Sequence, residues 1–174
     1  MNRVYLECGV CDFGRDLQFD FPNLCLGLLE LEACTGIFCF VGTLADGVYR
    51  TTDSGGTWTS VALNASGAIQ GLALSPNFGR DSTLFTATAT GGVFRSTDSG
   101  ATWVAVNTGL TGSNFDQLAV SNDYSTDRTL FTGSVTGFLY KSTDAGAGWS
   151  SVGSGIASAR IAGVGFSSTY AIDS

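Results

Sequence analysis

Carboxylates are the side chains of this sequence that could do chemistry: there are 15 aspartates and glutamates against 8 lysines and arginines, and no histidine. Without imidazole there is no Ser–His or Cys–His nucleophile pair, no histidine metal site and no proton shuttle working near neutral pH. What remains is acid–base work by paired carboxylates, as in glycoside hydrolysis, where two of them face one another across a sugar about 5 to 10 Å apart. Asp46 and Asp116 are the candidates, since neither has an acidic counterpart at the equivalent places of the repeats described below. Asp46 lies in the hairpin tip LADG, where a solvated turn aspartate is the ordinary explanation. No nucleophile and base constellation accompanies either residue, so an enzyme is the weaker reading, and no cofactor is expected.

Cysteine offers a second chemistry. Cys8, Cys11, Cys25, Cys34 and Cys39 all fall in the first quarter of the chain, and CGVC has the two-residue gap of a zinc knuckle or a redox pair. No second such pair follows, and an odd number leaves at least one thiol over. Small buried apolar residues with one disulfide are the plainer expectation, and no metal site is assigned.

A net charge of −7 would repel a phosphate backbone or an anionic lipid surface, which argues against nucleic acid as a partner. The apolar stretch from Leu24 to Leu44 holds Glu30 and Glu32 and is broken by glycines. Two central carboxylates are costly in hydrocarbon, so buried strands are expected there and no membrane span. The opening residues carry acids among apolar side chains and do not read as a secretory signal.

The elements that would position these groups are repeated. VYRTTDSGGTW (Val48 to Trp58) returns as VFRSTDSGATW (Val93 to Trp103) and LYKSTDAGAGW (Leu139 to Trp149), with Asp53, Asp98 and Asp144 standing 45 and 46 residues apart. IQGLALS, FDQLAVS and IAGVGFS, beginning at Ile69, Phe115 and Ile161, keep a spacing of 46. One period resolves into four alternating runs of strand length; in the middle copy they are Gln70 to Ser75, Thr83 to Ala89, Gly92 to Thr97 and Thr102 to Val106. The 24 glycines against 2 prolines fit many tight turns. Four strands in about 45 residues make one propeller blade, a sheet that must stack on neighbours to bury both faces. In each turn the aspartate is placed to accept amides just ahead of it, and the tryptophan to fill the wedge between sheets.

The motif Ser/Thr-x-Asp-x-Gly-x-Thr-Trp resembles the Asp-box, or BNR, repeat of sialidases, sortilin-like receptors, some glycoside hydrolases and photosystem II assembly factors. Thr51, Asp53, Gly55, Thr57 and Trp58 match it, as do Ser96, Asp98, Gly100, Thr102 and Trp103. Ser142, Asp144, Gly146 and Trp149 match with Gly148 where the threonine belongs. The resemblance implies an all-β fold, a partial β-propeller of about three four-stranded antiparallel blades with structural Asp-box turns, and an extracellular, cell-surface or periplasmic setting. It implies fold more strongly than activity. A sialidase needs three arginines converging on one carboxylate, whereas Arg50, Arg95 and Lys141 recur one per repeat and look like a cationic strand position.

The expected organisation is a cysteine-containing extension or cap over residues 1–35 and blades over 36–174. The lone strand IAGVGFS is expected to complete the first blade by strand exchange, and since three blades are too few for a closed ring, the chain is expected to be half of a six-bladed homodimer, a fragment of a longer protein, or an open stack with exposed end blades. Function is expected to be recognition of a protein or glycan, or assembly, with a fragment of a glycoside hydrolase or of a larger surface protein as alternatives. Loops between blades are the candidate ligand-facing segments, with Asn64, Ser66, Thr111 and Asn114 named beside Asp46 and Asp116.

Overall fold

The computed structural model describes residues 31–35, 38–61, 63, 67–154, 156 and 160–167. Among them, strands form three four-stranded antiparallel sheets that follow one another along the chain. The first holds β1 (Leu31–Thr35), β2 (Phe38–Gly42), β3 (Val48–Thr51) and β4 (Thr59–Val61). The second holds β5 (Ile69–Leu74), β6 (Leu84–Thr88), β7 (Gly92–Ser96) and β8 (Val104–Ala105). The third holds β9 (Phe115–Val120), β10 (Leu130–Ser134), β11 (Leu139–Ser142) and β12 (Ser150–Ser151). Strand order follows chain order in each, and β5 lies against both β1 and β9, so these are three blades of a partial β-propeller with their first strands innermost.

The core explains why the strands read as nearly continuous apolar runs. Every residue of β6 is buried. Side chains alternate across a strand, so Leu84 joins a cluster with Phe40, Val48 and Val61 of the first blade, while Phe85 and Ala87 join Phe115, Tyr124 and Tyr140 of the third. A blade with neighbours on both sides has no solvent face, and the buried Thr86 and Thr88 satisfy their hydroxyls on the carbonyls of Gly71 and Gly92. Only the short outermost strands are wet: both residues of β8 and of β12 are exposed.

Short helical turns, α1 (Phe78–Asp81) and α2 (Tyr124–Asp127), interrupt the first two strands of the second and third blades. Each throws an aromatic ring back onto the preceding blade, Phe78 edge-on to Phe40 at 5.5 Å and Tyr124 edge-on to Phe85 at 5.6 Å. Asp81 and Asp127 close these segments as loop caps, accepting from the hydroxyls of Ser75 and Ser121 and from the amides of Thr83 and Thr129.

Two expectations about the ends are corrected. The first blade takes its inner strand from β1, ahead of residue 36 and two residues before β2. Residues 161–167 therefore do not complete that blade; they lie against the third one, where Phe166 meets Phe131 at 5.4 Å and the Ile161 amide donates to Ser134. Cys34 and Cys39 are opposite one another in the β1–β2 register, and Cys39 is disulfide-bonded. Cys8, Cys11 and Cys25 lie outside the described residues. The long apolar stretch enters β1 and β2, and among the described residues no helix is long and apolar enough to cross a membrane.

Candidate functional site

The three aspartate turns are built alike. Thr51, Ser96 and Ser142 donate their hydroxyls to the Oδ1 atoms of Asp53, Asp98 and Asp144 at 2.6 to 2.8 Å. The same hydroxyl oxygens accept from the amides of Gly55, Gly100 and Gly146. Across the turn, each Oδ1 also accepts the amide of Thr57, Thr102 or Gly148. Thr57 and Thr102 add their own hydroxyls to the Oδ2 atoms; Gly148 has none to add, which is what the departure in the third copy removes. The carboxylates are thus occupied in closing their own turns.

These hydrogen bonds favour the ionised form. The Thr51 hydroxyl, then the Thr57 amide and hydroxyl, bring Asp53 down to about 2. Asp98 is lowered first by the Thr102 hydroxyl and Asp144 first by the Gly148 amide. A carboxyl whose folded pKa is below its unfolded value, about 3.9, contributes stability that is complete above that value and is lost as pH falls through the folded pKa. The urea midpoint is therefore expected to hold down to about pH 4 and to drop toward about pH 2. A midpoint flat across that window contradicts the turn geometry; Asp98→Asn should shallow the drop.

The basic residues before the turns are staples between blades. Arg50 donates through NH1 to the carbonyl of Ser99 at 2.7 Å, and Arg95 to that of Ala145 at 3.0 Å, each reaching forward into the turn of the next blade. The tryptophans reach backward: the Trp149 indole N–H donates to the Val106 carbonyl of the second blade, and Trp103 packs on the first-blade cluster while donating to Gly100.

Helical and aspartate turns share one end of the blades, where Ser99 and Ala145 donate their amides to Ser82 and Arg128. The interblade connections and the β2–β3, β6–β7 and β10–β11 turns share the other end, where the amide of Ile69 meets Thr43 and that of Val135 meets Asn114. The candidate ligand-facing residues are at this second end. Asp46 is exposed on the first blade's turn, its amide bound to the Thr43 hydroxyl. Thr111, exposed on the connection to the third blade, receives the Tyr140 hydroxyl on its carbonyl and pairs with it through its own hydroxyl at 2.7 Å. Asn114 has a positive φ of 63° and opens β9. Asn64 and Ser66 lie outside the described residues.

Asp116 is deeply placed. Its side chain is 3% exposed, and Oδ2 accepts from Nε of Arg160 at 2.7 Å while that arginine is 64% exposed. The Oδ1 atoms of Asp116 and Asn114 are buried without a hydrogen-bond partner. Asp116 and Asp46 stand on different blades, and Asp116 is engaged by a cation. The sequence reading missed Arg160, although it occupies the repeat position of Ala68 and Asn114, where a charge is out of pattern. It also missed a hollow of about 290 Å³ beside the third blade's turn, lined by Thr136, Gly137, Phe138, Ser151, Gly153 and Ile156 among others. Phe138, 48% exposed, and Ile156, 44% exposed, give it an apolar wall. Phe138 stands where the other copies carry Gly47 and Gly92, and that exchange was a visible signal.

No family model and no curated protein matches the sequence. Solved structures do match. A GH74 enzyme of Niastella koreensis superposes with a TM-score of 0.54 at 20% identity, over 67% of this chain and 20% of that one. YCF48 bound to D1 peptide gives 0.55 at 18% identity, over 79% and 42%. YCF48 from Cyanidioschyzon merolae gives 0.53 at 19%, over 78% and 46%. The chain therefore spans between a fifth and less than half of these proteins, and the likeness is one of fold, that of β-propellers.

Proposed function

We propose that the chain is a non-catalytic recognition and assembly module built from Asp-box propeller blades, binding a protein or glycan segment at the end where the interblade connections gather. The observation that carries this reading is the open hollow with Phe138 and Ile156 exposed on its wall and the hydroxyls of Thr136, Ser151 and Ser154 around it. An aromatic face beside hydroxyls suits either a sugar ring or an extended peptide. The likeness to a structure of YCF48 bound to D1 peptide favours the peptide. Two copies completing a ring of six blades is the assembly form this reading carries.

Binding of the chain to immobilised peptide and glycan arrays tests it. Phe138→Ala is expected to weaken whatever binding is found by about 10-fold or more, as loss of an exposed aromatic anchor does. Binding indifferent to that change sinks the assignment of the hollow. A fragment of a glycoside hydrolase is the second reading, favoured by the likeness to GH74 enzymes and by the orphaned Oδ1 of Asp116. It requires Asp116 to leave Arg160, and hydrolysis of a polysaccharide that disappears with Asp116→Asn would establish it.

A further inference from the structure

Among the described residues, the three blades have two unlike outer faces, and each resembles half of an interface the chain already makes twice. At the internal junctions the forward face of one blade presents Phe40, Val48 and Val61, or Phe85, Val93 and Val106, all buried against the blade that follows. Arg50 and Arg95 stand among them and hold the next turn. The third blade carries the same set at the same repeat positions: Phe131, Leu139, Val152 and the cation Lys141. There Val152 is 41% exposed, whereas Val61 and Val106 are 8% and 7% exposed. The rear half is on the first blade. Ser54 has the positive φ, 58°, of Ser99 and Ala145, whose carbonyls take the arginines, and the half-buried Trp58 holds the place of Trp103 and Trp149.

The forward face already bears the beginning of an occupant. Residues 161–167 belong to none of the three sheets but sit on the third blade as β5 sits on the first. Ile161 donates its amide to Ser134 as Ile69 does to Thr43, and each isoleucine covers a glycine, Gly133 or Gly42, so closely that a Cβ there would strike it. The segment thus occupies the inner-strand place of a fourth blade.

We propose that the forward face of the third blade, with residues 161–167, receives the first blade of a second copy head to tail, and that the reciprocal junction closes a two-fold ring of six blades. The inner place beside the partner's β2 is held by β1 in the single chain, so this junction requires 161–167 to take that place and β1 to leave it. Lys141 then donates to the turn carbonyl of Ser54 as Arg50 donates to Ser99, and Trp58 covers Val152 as Trp149 covers Val106. The proposal rests on the assembly part of the reading above and supplies its interface.

Light scattering of the full chain across a dilution series should give the mass of two chains. Val152→Asp changes a side chain open to water in the single chain, and it should weaken association by about 100-fold or more, as a charge in the centre of an interface does. Trp58→Glu, on the rear half, should do the same, with circular dichroism confirming that both variants keep their sheets. An equimolar mixture of the two variants should pair again, because one intact junction survives between them. A wild-type chain that stays monomeric overturns both the interface and the ring. A dimer indifferent to both variants overturns this interface but leaves two-copy assembly standing, and a mixture that fails to pair overturns the head-to-tail polarity.

Discussion

Trp149→Ala is expected to destabilise the protein by about 4 kcal/mol, the upper part of the range for removing a buried aromatic. Trp149 is buried in the cluster between the second and third blades, among Phe85, Val93, Val106 and Tyr140, and its indole N–H is the donor to the Val106 carbonyl. Truncation removes the wedge and leaves that carbonyl without its partner, and the two losses add. Trp103 occupies the same place at the first junction, but it is only half-buried and donates within its own turn, so Trp103→Ala should cost about half as much. Urea unfolding of the two variants checks the order. Equal losses would mean that the indoles serve only their own turns and do not join the blades.

Gly109→Ala is expected to cost about 3 kcal/mol although no side chain is lost. Gly109 has a φ of +89°, which alanine adopts only under strain, and a Cβ at that place would run into the backbone carbonyl of Trp149. The carbonyl belongs to a segment pinned by the Trp149 amide donating to Thr108, so it has little freedom to retreat. Gly112, three residues on, has a φ of +99° and open space around it, and Gly112→Ala should show the backbone strain alone, about 1 kcal/mol. Thermal melts of the two variants separate the contributions: similar shifts would mean that the connection yields at Trp149 and that the close approach is not binding.

The blades were legible in the sequence because each buried position recurs. Ile69, Phe115 and Ile161 return at one spacing, as do the three aspartates, and short runs between glycines leave few alternatives to four-stranded sheets. The first strand was not legible. In the later blades the first two strands are joined through a helical turn, whereas β1 reaches β2 across two residues, so counting back one period lands upstream of it. The destination of 161–167 was not legible either, since repetition names a strand's place within a blade but not which blade it serves. The roles of Arg50 and Arg95 needed coordinates, because their partners are backbone carbonyls 49 and 50 residues away, which no side-chain pattern marks. Phe138 and Arg160 break the repeat, and such breaks are where a periodic scaffold acquires features that packing alone does not require.

The forward reach of Arg50 and Arg95 also gives the molecule a direction in time. A blade emerging from the ribosome has its rear face met at once by the blade before it, but its forward face waits for the next 45 or 46 residues. At about 5 to 20 residues per second, that wait lasts several seconds for each blade. During it, Phe40 or Phe85 and the neighbouring valines stand open, with an arginine among them whose carbonyl has not yet been made. The guanidinium keeps charge and water on a surface that would otherwise be wholly apolar, so the staple of the finished protein guards the nascent one against aggregation.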